Sequence, residues 1–84
     1  MRWLFPKNRK AEANSVLDQC LKIREEGNET FAAALNKEGD SRIIEEALDT
    51  MQTVEGLLRK FPVRKVAFVR VMVVVKCMKR GDYL

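Results

Sequence analysis

The stretch Phe61-Pro62-Val63-Arg64-Lys65-Val66-Ala67-Phe68-Val69-Arg70-Val71-Met72-Val73-Val74-Val75-Lys76-Cys77-Met78 decides how this chain folds. It carries seven of the nine valines, and no other segment is as apolar. Valine is a mediocre helix former and costs about 0.5 kcal/mol against alanine in a helix. As a strand, the stretch would present Ala67, Val69, Val71, Val73, Val75 and Cys77 on one face. The other face would mix Val66, Phe68, Met72 and Val74 with Arg70 and Lys76. No second segment reads as a strand, and a lone strand leaves its backbone groups unpaired. A strand here therefore needs a second copy of the chain or a partner's sheet edge.

As a helix, the same stretch is well punctuated. Pro62 suits the first helical position. Lys79 and Arg80 suit the last turn, and Gly81 suits the stop. Such a helix would be apolar almost all round and would need covering by something else. The expected fold class is mainly α, three to four helices joined by short Gly-containing turns. Residues 63–79 are expected to form a helix or, alternatively, an intermolecular β-strand.

The segments upstream read as one small domain, 1–84. The third helix, about 41–60, has the clearest periodicity. Ile44, Ala47, Leu48, Met51, Val54, Leu57 and Leu58 share a stripe, with Phe61 extending it. Glu45, Glu46, Asp49, Gln52, Thr53 and Lys60 are expected to face water. Gly56 within this helix points to a close neighbour or a weak spot. A short helix over 29–38, capped by Asn28, presents Phe31 and Leu35. A first helix over 8–26, capped by Asn8 and stopped by Gly27, presents Ala13, Val16, Leu17, Cys20, Leu21 and Ile23. Residues 1–7 form an aromatic and basic arm. Trp3, Leu4 and Phe5 would cap the core, meet a partner, or sit among lipid headgroups. The arm is short for the membrane role, and a membrane is not the expected partner.

An 84-residue chain with 46% hydrophobic and 33% charged residues is composed like a folded domain with a marginal core. Self-association is a natural way to enlarge that core. Net charge is +4, and its layout is uneven. Residues 1–11 and 59–80 are basic, while 12–58 are acidic. The basic ends can meet phosphates, or pair with the acidic middle of the same or a neighbouring chain.

Histidine is absent, which removes the commonest general base and the usual nucleophile pairs. There is no glycine-rich phosphate loop. Glu45, Glu46 and Asp49 read as a solvated helix face and not as a metal cluster. No catalytic or metal residue and no cofactor is expected, and the protein is expected not to be an enzyme. Cys20 and Cys77 belong to no C-x-x-C pattern and read as reduced. The start of the chain lacks the apolar core of a secretory signal, so a cytoplasmic protein is expected.

Two functions follow from this reading. The first is a non-enzymatic interaction or assembly subunit, a homodimer or one bound to a protein partner, with Val66, Val69, Val71, Met72, Val73 and Val75 at the interface. The alternative is an RNA- or DNA-binding helical dimer using Arg64, Lys65, Arg70, Lys76, Lys79 and Arg80, with help from the N-terminal arm.

Overall fold

The computed structural model describes residues 2–84 and contains four helices. They are α1 (Arg9–Ala13), α2 (Val16–Leu35), α3 (Asp40–Leu58) and α4 (Val63–Arg80). Among the described residues there is no strand. The valine-rich stretch is therefore a helix, the better punctuated of its two readings.

The helix boundaries upstream differ from expectation. Gly27 does not stop a helix; it lies inside α2, which runs for 20 residues. The break falls earlier, at Asn14 and Ser15. Asn14 is extended and closes α1, and Ser15 opens α2 by accepting a hydrogen bond from the Asp18 amide at 3.0 Å. A hydroxyl that satisfies a free first-turn amide outweighs one mid-helix glycine, whose cost is about 1 kcal/mol. Asn8 caps α1 as expected, its side chain accepting from the Ala11 amide at 3.0 Å.

Helices α2 and α3 form an antiparallel pair across a short turn. Gly39, at φ 100°, supplies the left-handed step before α3. The seam between them is polar. Its α2 side carries Gln19, Ile23, Glu26, Thr30 and Ala33, spaced alternately by four and three residues. Its α3 side carries Ile43, Glu46, Ala47, Thr50, Thr53, Val54 and Leu57. Gln19 and Glu46 are among the most buried residues of the chain, at 2% and 3% exposure. The apolar stripe expected to face inward on α3 is split: Ala47, Val54 and Leu57 enter the seam, whereas Ile44, Leu48 and Met51 are exposed. On α2, Leu17, Leu21, Phe31 and Leu35 are exposed too, on the side of the helix away from the seam.

Hydrogen bonds explain how a polar seam holds. Gln19 Nε2 donates to the Thr53 carbonyl at 2.9 Å, and Gln19 Oε1 accepts from Asn14 Nδ2 at 3.0 Å. Thr30 and Thr50 meet across the seam at 3.1 Å, and each also reaches the carbonyl four residues back, of Glu26 and Glu46. Close packing adds to this where α1 crosses α3. Ala11 is buried beside Gly56, which is itself buried because no side chain separates the two backbones.

The N-terminal arm lies on the end of α3. The Leu4 and Phe5 amides donate to the two Glu55 carboxylate oxygens at 2.8 and 3.0 Å. Arg59 Nη2 donates back to the Phe5 carbonyl at 2.8 Å, and its guanidinium sits 4.7 Å from the Trp3 ring centre. Lys60 Nζ donates to the Asn14 carbonyl and ties the α1–α2 elbow to the same place.

Candidate interaction surface

Pro62, expected at the first helical position, is instead the extended N-cap of α4 (φ −57°, ψ 134°), so the helix starts one residue later, at Val63. It stops where Gly81 turns left-handed at φ 75°, with its amide and that of Asp82 bonding back to Met78 and Cys77. Between these caps the helix projects from the hairpin and buries none of its residues. Val66 is half-buried. Val69, Val71, Met72, Val73 and Val75 are all exposed, from 38% for Val75 to 56% for Val71. The sequence-predicted interface set therefore stands on one uncovered helix. Because the helix is apolar nearly all round, these residues do not converge on a single stripe.

An apolar concavity lies where α4 leaves α3. It is an open groove of about 460 Å³ floored by Leu58, Phe61, Val66, Val69, Val73 and Val74, with Lys65 and Arg70 at its edges. A groove with so little polar lining suits a hydrophobic side-chain ridge better than a polar substrate.

The basic residues of α4 are equally open. Arg64, Lys65, Arg70, Lys76, Lys79 and Arg80 are all exposed. Arg80 pairs with Asp82 at 2.6 Å, and among the described residues the other five make no salt bridge. At 100° per residue, Arg64, Lys65, Lys76, Lys79 and Arg80 share a side and Arg70 stands apart. The arm residues are placed differently from one another. Trp3 and Phe5 are half-buried against α3, and Leu4 is exposed.

The acidic middle stays with the hairpin. Arg42 of α3 bridges Glu38 in the preceding turn and Glu45 and Glu46 on its own helix, closest to Glu46 at 2.7 Å. The negative field of Glu46, with lesser help from Glu45 and Glu38, holds the Arg42 guanidinium above its ordinary pKa. Lys22 is likewise raised, first by its hydrogen bond to Glu26 and then by Glu25. Lys22 and Arg42 thus meet five acids of the hairpin, Asp18, Glu29, Asp40 and Asp49 make no salt bridge among the described residues, and of the α4 cations only Arg80 is paired.

The sequence missed three features. Glu46 is buried although it belongs to the predicted water-facing side. Glu55 and Arg59 hold the arm. Gly56 and Ala11 form the tightest backbone approach. The i, i+4 spacing of Glu55 and Arg59 was visible, but their shared partner 50 residues away was not. Cys20 is exposed, Cys77 half-buried, and both are free thiols. No helix among the described residues is long and apolar enough to cross a membrane. Comparison with protein-family models, curated proteins and solved structures found no match to this chain.

Proposed function

We propose that the chain is a non-enzymatic assembly subunit that binds a second copy of itself, with α4 as the principal contact. The observation that carries this reading is an 18-residue helix rich in valine with no buried residue. The size of the uncovered surface agrees with it. The accessible area is 6879 Å², whereas a compact monomer of this mass exposes about 5,100 Å². The excess, about 1,800 Å² per chain, is what an obligate homodimer hides. The radius of gyration, 14.7 Å, likewise exceeds the roughly 12 Å of a compact 84-residue domain.

Charge selects the arrangement. Basic α4 barely touches the acidic hairpin of its own chain, so a two-fold partner offers its hairpin instead. Each α4 would then lie along the other copy's exposed stripe of Leu17, Leu21, Phe31 and Leu35, with cations facing acids at the rim. A cytoplasmic setting fits the two unpaired thiols. Light scattering on the size-fractionated protein tests the reading. A mass near twice 9.7 kDa is expected, and a monodisperse monomer at micromolar concentration would refute it.

A second reading, RNA or DNA binding, draws on the five unpaired cations of α4. It requires binding that weakens steeply with salt, and a shallower slope when Lys76, Lys79 and Arg80 become alanine. Absence of salt-sensitive binding removes it.

A further inference from the structure

Three carboxylates meet in the α2–α3 seam. Glu26 and Glu29 lie one turn apart on α2, and Glu46 faces them from α3. One oxygen from each lies within 4.8 Å of the other two. An acidic cluster on a solvated face would mean little, but Glu46 is not solvated. Its side chain is 4% exposed, and its Oε2 is buried without any hydrogen-bond partner. The flanking cations do not reach that atom. Arg42 takes Glu46 Oε1 at 2.7 Å, and Lys22 takes Glu26 Oε1 at 3.2 Å. The threonines beside the cluster cannot supply a proton either. Thr30 and Thr50 have two hydroxyl protons for three contacts: the Glu26 carbonyl, the Glu46 carbonyl and each other.

We propose that Glu26, Glu29 and Glu46 form a hard divalent-cation site that clamps α2 to α3. A bound cation satisfies the orphaned Glu46 oxygen and turns mutual repulsion into a shared ligand set. The donors are all carboxylate oxygens in a chain without histidine, which selects calcium, manganese or magnesium over zinc. Three oxygens spread evenly around one calcium ion lie about 4.0–4.5 Å from one another, so oxygens already within 4.8 Å reach it through small side-chain movements. Magnesium, which binds at about 2.1 Å, demands a tighter set of oxygens than calcium does. Water fills the remaining positions, since Glu29 is exposed. The site is distinct from the α4 surface and does not depend on it.

Calorimetric titration of the full chain with calcium chloride or manganese chloride, paired with thermal unfolding, tests the site. One cation per chain and a raised Tm are expected. Glu29→Gln, at an exposed position, should keep the metal-free Tm and weaken binding by about tenfold or more. Glu46→Gln should abolish the cation-dependent rise in Tm, and Asp82→Asn should leave it intact. No saturable binding, or binding that survives both glutamine variants, overturns the proposal.

Discussion

Gly56 of α3 lies directly against Ala11 of α1: a Cβ on Gly56 would stand 2.7 Å from the Ala11 Cβ and 2.9 Å from Gln19 Nε2. Neither neighbour yields easily. Ala11 has no rotamer, and Gln19 is fixed by bonds to Asn14 and Thr53. Gly56→Ala should therefore destabilise by about 1–3 kcal/mol, the usual range for overpacking, despite the better helix propensity of alanine. Gly27 also sits inside a helix, yet a Cβ there meets nothing within 4 Å. Gly27→Ala should stabilise by about 0.5–1 kcal/mol. Urea unfolding at one fixed protein concentration measures both, and equal signs for the two variants would contradict the packing described.

The α4 contact makes a sharper demand than dimer mass alone. Val69→Asp combined with Val73→Asp places charge on the floor of the groove between α3 and α4. In a covered interface this should weaken association by about a hundredfold or more. In the isolated chain both sites are exposed, so helicity should persist. Salt separates two arrangements of the dimer. Basic α4 on a partner's acidic hairpin weakens as salt rises. An apolar α4 against α4 contact, with like charges facing, is strengthened by screening. Sedimentation equilibrium at two ionic strengths reads the sign.

Glu55 accepts both arm amides, so Glu55→Gln replaces a carboxylate with a weaker acceptor and one oxygen with a donor. The arm should detach, at a cost of about 1–2 kcal/mol. Trp3 is the chain's single tryptophan, so its emission reports the arm without interference. A red shift and faster quenching by iodide are expected. Unchanged emission would mean that the Arg59 contact with Trp3 holds the arm alone, in which case Arg59→Ala releases it.

The caps of α4 were legible because proline and glycine act locally. Pro62 fixes its own φ, Gly81 takes the left-handed φ of a helix stop without strain, and their spacing left one helix-length segment between them. The orientation of α2 and α3 was not legible, because periodicity shows which residues share a face and not which face turns inward. Ile44, Leu48 and Met51 make an apolar stripe, and apolar stripes ordinarily face a core. Here the hairpin closes through Gln19, Thr30, Glu46 and Thr50 beside Ala47, Val54 and Leu57, and Ile44, Leu48 and Met51 are left exposed. A trace of this seam was present in the sequence: Gln19, Glu26 and Ala33 repeat every seven residues, as do Ile43, Thr50 and Leu57. The acidic cluster was invisible for the same reason, since it needs both the rotation of α3 that brings Glu46 into the seam and the passage of α2 through Gly27.

Tyr83 gives a pH dependence whose sign follows from its surroundings. Shielding at the end of α4, then the neighbouring Cys77 thiol, raises its phenol above the ordinary value near 10, with Arg70 opposing. Below about pH 10 the phenol is neutral in both folded and unfolded chains, and its contribution to stability is fully present. Above that, the unfolded chain releases its proton first, so stability falls until the folded-state value is passed. Lys22, raised from 10.5, loses its ion pairs in the same alkaline range, so the two effects add. Tyr83 is the chain's single tyrosine, and phenolate absorbance therefore isolates its titration. The native midpoint should lie above that of the urea-unfolded chain, and Cys77→Ala should move it down. Because Tyr83 is 53% exposed, the shift is small and the accompanying loss of stability modest. A native midpoint below the unfolded one would place Arg70, and not Cys77, as the dominant neighbour of the phenol.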